Sequence, residues 1–305
     1  MSNHGFIVTA WVSLVLLAAS IEPIIVKLGY NASCTPFQLL AIKNIVAAIV
    51  VLPVTRVWRW VGIKGIVRIA SVSSLLLLNN LFVLMSLQSL HAVTVVTLLA
   101  STPALVALTN QWLGREKLNW KFWLGFVLCI SGVALTVELG SIGLASAGIG
   151  YVALAILCSA LYRVRMEDVT AEISPLVVSN YIFLINAVLT CIFLVPLIGN
   201  LPQTAWPIGM WMGLAGAIAN VAFLMALFLV GSTRISIITM LQPPVVIIAA
   251  SLILKEPLTA MQIAGIGMVM LGIYLANVRR IKKEALSPLE SNEKAIPQSL
   301  LAGRS

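Results

Sequence analysis

Glu22 is an acidic residue inside an apolar run. A charge in such a setting is costly unless it is paired, hydrated or used. Pro23 follows it, and a proline both frees a carbonyl one turn back and can kink a helix. Two chemistries fit. Shielded from water by Ala18, Ala19, Ile21, Ile24 and Ile25, the Glu22 carboxyl group can hold and release a proton or a cation. The alternative is a carboxylate that stays ionised beside a lysine. Lys27 is five residues on, about 140° around a helix, and so shares no face with Glu22. Lys43, in the next apolar run, is the better partner.

Amides form the second group. Asn79 and Asn80 fall in the middle of an apolar run, and Asn220 stands 140 residues after Asn80. Related positions of this kind can line a shared cavity, or they can bond neighbouring helices at about 1 kcal/mol each. Ser101, Thr102 and Pro103 correspond in the same way to Leu241, Gln242 and Pro243, with Pro244 following. Proline there leaves backbone groups open to a ligand, or marks a hinge. Tyr162 corresponds to Glu22 and sets a phenol opposite a carboxylate, although its place near a span end equally suits interfacial anchoring. No catalytic constellation accompanies these residues. His4 and His91 are far apart, and Cys34, Cys129, Cys158 and Cys191 form no CxxC pair. The expectation is therefore no enzyme, no cofactor and no resident metal.

The elements that must position these groups follow from composition. Of 305 residues, 60% are hydrophobic and 10% charged, against about 25% charged in a soluble domain. So few charges cannot coat a water-soluble fold of this size, and the partner implied is a lipid bilayer. The net charge of +9 is spread in short clusters between membrane-length runs, which reads as topology signals and not as nucleic-acid binding. At about 20 apolar residues per crossing, ten spans are expected: 6–28, 37–55, 69–88, 92–113, 121–138, 147–164, 175–198, 207–230, 235–254 and 259–278. The first run has no basic residues before it and no small-residue cleavage site, so it reads as a retained span. The polar segment 281–305 is expected to be a disordered tail.

The ten spans are two copies of five. At an offset of 140, Pro103 meets Pro243, Val106 meets Val246, Glu116 meets Glu256, Gly125 meets Gly265 and Gly132 meets Gly272. Upstream, Asn80 meets Asn220 and Met85 meets Met225. Similar apolar runs would align leucines, but not Pro, Asn, Glu and Gly in one register. Five is odd, so the second copy enters the membrane from the opposite side. The fold expected is an all-α integral membrane protein of ten transmembrane helices in two inverted five-helix repeats, 1–140 and 145–280. Orientation follows from the basic residues. Arg56, Arg59, Lys64 and Arg68, then Arg115, Lys117 and Lys121, then Arg163 and Arg165, then Arg234 all fall on one side, with Arg279, Arg280, Lys282 and Lys283. That side is the cytoplasm.

With these features in place the chain resembles the EamA domains of the drug/metabolite transporter superfamily, ten-helix branch, over residues 6–278. The resemblance is carried by Lys27, Pro36 and Lys43 in the first hairpin and by the segments from Pro103 through Gly-Arg-Glu-Lys-Leu to Gly125 and Gly132, and from Pro243 through Lys-Glu-Pro-Leu to Gly265 and Gly272. Family members more often carry Arg where Lys43 stands. The resemblance implies secondary transport, as export or exchange, of a small metabolite such as an amino acid. Exchange of phosphorylated anions and a membrane scaffold without flux are the alternatives. The candidate pathway residues are Glu22, Lys43, Asn79, Asn80, Ser101, Thr102, Tyr162, Asn220 and Gln242, with protons as a candidate coupling ion. A monomer suffices to enclose a cavity, and a homodimer is equally compatible.

The charge pattern makes a first prediction. Reporter fusions after Ser305 should be cytoplasmic, and cysteines placed near Asn31 and Asn200 should label from outside. A tail accessible from outside would overturn the orientation.

Overall fold

The structure, a computed structural model, describes residues 3–55, 59–115, 120–136, 142–170, 172–197, 199–239, 242–255, 259–261, 263–272 and 274–275. Arg56, Glu116, Lys117, Leu118, Glu138, Gly140, Glu256, Pro257, Leu258, Arg279, Arg280 and the segment 281–305 lie outside the described residues.

In hydrocarbon no water satisfies a peptide group, so each segment bonds to itself as a helix. The helices are α1 (Asn3–Asn31), α2 (Pro36–Thr55), α3 (Gly62–Ser89), α4 (Ala92–Leu99), α5 (Thr102–Trp112), α6 (Trp120–Thr136), α7 (Ile142–Thr170), α8 (Pro175–Leu189), α9 (Ala205–Thr239), α10 (Gln242–Ala249) and α11 (Ile263–Gly272). Among the described residues seven helical stretches are long and apolar enough to cross a membrane, with α4 and α5 counted as one, and two shorter apolar helices lie at Trp120–Gly132 and Ile263–Gly272. Helix therefore falls on each of the ten expected spans. Large apolar side chains such as Leu17, Val127, Ile130, Leu154 and Leu252 point outward, where lipid covers them. Trp60, Trp112, Trp120 and Trp206 are exposed at or beside helix ends, where interfacial anchors belong.

One boundary differs from the sequence reading. A turn was expected between 230 and 235, yet α9 stays helical through Thr239 and is 35 residues long. The segment Gly231-Ser232-Thr233-Arg234 has a turn-like composition but keeps every N–H, so nothing interrupts the hydrogen-bond ladder. The first residues unable to donate to the preceding turn are Pro243 and Pro244, and they open α10. The span 92–113 is likewise broken, at Ala100–Ser101, just ahead of Pro103.

The repeat is visible in the packing. α1 lies mainly against α9, and its counterpart α7 lies mainly against α3, the counterpart of α9. α2 and α10 join the first pair, and α8 and α5 join the second, so each group takes helices from both halves of the chain. At the far end α6 crosses α11. A Cβ on Gly132 would lie 2.5 Å from the carbonyl oxygen of Gly265, and one on Gly272 would lie 2.5 Å from that of Gly125. Gly265 and Gly272 are the counterparts of Gly125 and Gly132, so this is one contact made twice. Cys129 Sγ, 3.6 Å from the carbonyl oxygen of its own counterpart Val269, sits on the pseudo-twofold axis. Low numbers meet high ones, so α6 and α11 run antiparallel. Equivalent helices that run antiparallel place the axis in the membrane plane, and the repeat is inverted.

The crossing makes the second prediction. Gly132→Ala or Gly272→Ala drives a methyl group into backbone, and either should lower the melting temperature in detergent by the equivalent of about 1–3 kcal/mol. Gly267→Ala, with nothing within 4 Å, should not. Equal melting of all three proteins would show that the crossing tolerates separation.

Candidate functional site

The charged centre is built on α1, α2 and α9. Along α1 the exposed residues Leu14, Leu17, Ile21 and Leu28 form a stripe toward lipid. Glu22 is about 100° further round, on the face of Val15, Ala18, Val26 and Gly29, which are buried. Its side chain nevertheless keeps 24% exposure. Lys43 on α2 is 7% exposed and bonds Glu22 through Nζ and Oε1. Of the two chemistries open to Glu22, the structure displays the ion pair.

Glycines on α9 admit the lysine. A Cβ on Gly216 would lie 3.2 Å from Lys43 Cε, and one on Gly213 would lie 2.9 Å from the Lys43 carbonyl oxygen and 2.7 Å from Val46 Cβ. A helix with side chains at both positions could not approach α2 this closely. The next residue on α2, Asn44, donates from Nδ2 to Thr190 Oγ1 at 2.9 Å, both groups buried. Thr190 begins a π-helical turn, Thr190–Leu194, that continues α8. Wide turns of this kind occur often at functional sites. Asn220 on α9 donates from Nδ2 to Ser179 Oγ on α8 at 3.4 Å.

The remaining sequence candidates are spread around this centre. Asn79 and Asn80 are half-buried in α3, which packs on α7 and α8, whereas Asn220 is on α9 against α1 and α2. Tyr162 packs with Ile69, Val72, Val169 and Ile182, in the group of α3, α7 and α8, away from Glu22. Thr102 is buried and its hydroxyl donates to the carbonyl of Leu99 at 2.6 Å. That is the carbonyl Pro103 cannot serve, so the break is capped from within. Ser101 donates to Leu98 O at 2.7 Å and borders an apolar cavity of about 290 Å³ between α4, α5, α6 and α7. Gln242 is half-buried at the start of α10, which packs on α4.

Sequence reasoning passed over Asn44, Ser179, Asn186 and Thr190. The last three recur at heptad-like spacing on one face of an apolar helix, and that was the available signal. The Asn186 Oδ1 and Ser73 Oγ atoms are buried without a hydrogen-bond partner among the described residues. Away from the centre, two ion pairs join the halves at one membrane face. Arg68 bonds Glu172 at 2.5 and 3.2 Å, and Arg115 bonds Asp168 at 2.9 Å. The Arg68 guanidinium holds the Glu172 carboxyl below the usual carboxylate range.

Comparison with known proteins agrees with this architecture. A family model described as the EamA-like transporter family matches residues 7–138 and again 146–278. An uncharacterized transporter of Synechocystis sp. is 26% identical over 297 residues, covering 86% of this chain and 88% of that protein. An uncharacterized transporter of Archaeoglobus fulgidus is 23% identical over 188 residues, covering 58% of this chain and 65% of that protein. A solved crystal structure superposes with a TM-score of 0.61 over 89% of this chain and 97% of the other, at 16% identity, which speaks for the fold. With the family model spanning both repeats of a multi-helix membrane fold, the chain belongs to the EamA-like transporter family.

Proposed function

We propose that this transporter moves a small polar metabolite, such as an amino acid, out of the cell or in exchange, by alternating access to a central cavity between the repeats. The observation that carries the reading is the Glu22–Lys43 pair, two charges held inside the membrane on a face that retains exposure. A charge pair of that kind is expensive to keep in a purely structural role. It supports a polar passage, and the inverted repeat supplies two related packings for alternating access.

The pair also bears on the alternatives. An exchanger of phosphorylated anions needs surplus positive charge in the cavity, and Glu22 neutralises Lys43. A scaffold without flux needs no charge inside the membrane, so the pair weighs against that reading. We place the protein in the cytoplasmic membrane with both termini inside, on the strength of the basic clusters. Each chain contributes both halves of the fold, so a single copy is the proposed working unit.

A metabolite uptake and efflux screen in vesicles, with and without a pH gradient, tests the reading and decides whether protons drive it. Flux should appear with the wild-type chain, and Asn80→Ala and Asn220→Ala should each reduce it more than they reduce protein abundance. Normal flux at normal abundance in both variants would move the pathway away from the asparagines. Absence of flux for every solute would overturn the transporter mechanism itself.

A further inference from the structure

We propose that the apolar crevice between α6 and α7 is a binding site for an anionic phospholipid. The far end of one acyl chain fills the crevice, and the phosphate lies at Arg163 and Lys121. The site is apart from the charged centre on α1, α2 and α9 and does not depend on which solute is carried.

The walls suit neither water nor a polar solute. Among the residues that line this cavity of about 290 Å³, only Ser101 and Cys129 carry a polar side-chain atom. Ser101 Oγ already donates to Leu98 O, and Cys129 Sγ to Val269 O. Neither is left to anchor water, and an apolar cavity of roughly half this volume stays dry and takes an apolar guest. The guest comes from the bilayer, because the crevice opens there. Ile130 and Ala153 line it and are exposed, and Val127, Leu154 and Leu157 beside them belong to the lipid-facing surface. Leu98, Ala104 and Val152 are buried and form its floor. The crevice is thus an inward extension of the surface that lipid already covers. Its wall on α7 runs from Ile149 to Ile156 along one helical face, about 10 Å long, which suits an extended chain.

The same face leads to a cation. Arg163 stands seven residues beyond Ile156, about 10 Å further along α7, and is exposed. The Arg115–Asp168 pair brings the end of α7 and the approach to α6 to one membrane face. At the start of α6, Lys121 Nζ lies 6.0 Å from the centre of the Trp120 ring. Basic groups at the ends of neighbouring membrane helices attract anionic head groups. An acyl chain whose phosphate is at Arg163 meets the crevice about 10 Å in and follows it through the middle of a hydrocarbon core about 30 Å thick. The site belongs to one repeat. Ser101 and Ala104 are small, where the other copy has Leu241 and Pro244.

The test uses the full chain in detergent with phosphatidylglycerol that carries a diazirine near the methyl end of one chain. After irradiation the labelled peptides are mapped by mass spectrometry. Label should concentrate on residues 126–130 and 149–156, roughly fivefold or more above α11, the equivalent of α6 in the other repeat. This comparison is made within the wild-type chain and does not depend on any variant folding. Ala153→Phe fills the mouth from an exposed position and should remove most of that label, whereas Leu157→Phe, on the lipid face beside it, should not. Arg163→Gln together with Lys121→Gln should bring the label down to that of an equally tagged phosphatidylcholine. Even labelling of all lipid-facing helices would overturn the proposal, since the crevice would then hold only ordinary bilayer contact. So would crevice label that excess phenylalanine or indole displaces and untagged phosphatidylglycerol does not, because the occupant would then be a solute. The vesicle screen for flux is a separate measurement, so either reading can fail alone.

Discussion

A peptide group or a charge inside hydrocarbon must find its partner in the protein, and most of this structure can be derived from that requirement. It makes every crossing a helix. It explains why Thr102 turns its hydroxyl back to the carbonyl that Pro103 leaves without a donor, and why a new helix opens at Pro243 and Pro244, which bring no N–H to the turn before them. It also accounts for the partner of Glu22. A carboxylate on the buried face of α1 needs a cation within reach, and Lys43 can supply one only because α9 offers glycine at 213 and 216.

Much of this was legible in the sequence. The offset of 140 identified which residues are equivalent, and the odd number of spans per copy gave the inversion. The contacts of Gly125, Gly132, Gly265 and Gly272 follow from those two facts. The partner of Glu22 could be narrowed to Lys43 by helix geometry, because Lys27 lies on another face. What could not be read was whichever feature the duplication does not share. Asn44 and Thr190 correspond to Leu184 and Val50, so the repeat gave no hint that they meet. The boundary near Arg234 failed for a different reason. Turn-like composition lowers helix propensity, but it does not remove a hydrogen-bond donor, and within a membrane the donor decides.

The fold is twofold and its chemistry is not. Lys43 corresponds to Phe183, and Glu22 to Tyr162. Arg68, which bonds Glu172, corresponds to Ile208, which instead packs at Gly29. One group of helices is thus tied by ion pairs at its end, and the other carries its ion pair in the middle. Equivalent backbone positions have been given different work, which is how a scaffold with two related packings can hold a site with a single orientation.

The crossing of α6 and α11 has a consequence for how the two halves relate. Gly132 meets the counterpart of Gly125, Gly272 meets Gly125 itself, and Cys129 meets its own counterpart. The surface is self-complementary, as at the interface of a symmetric dimer. A half-length chain bearing it would have recognised another copy of itself, provided the two had entered the bilayer from opposite sides. Separate chains can secure that only by inserting both ways. A covalent link after five crossings guarantees one copy in each direction every time, and frees the loop charges to fix a single orientation for the pair.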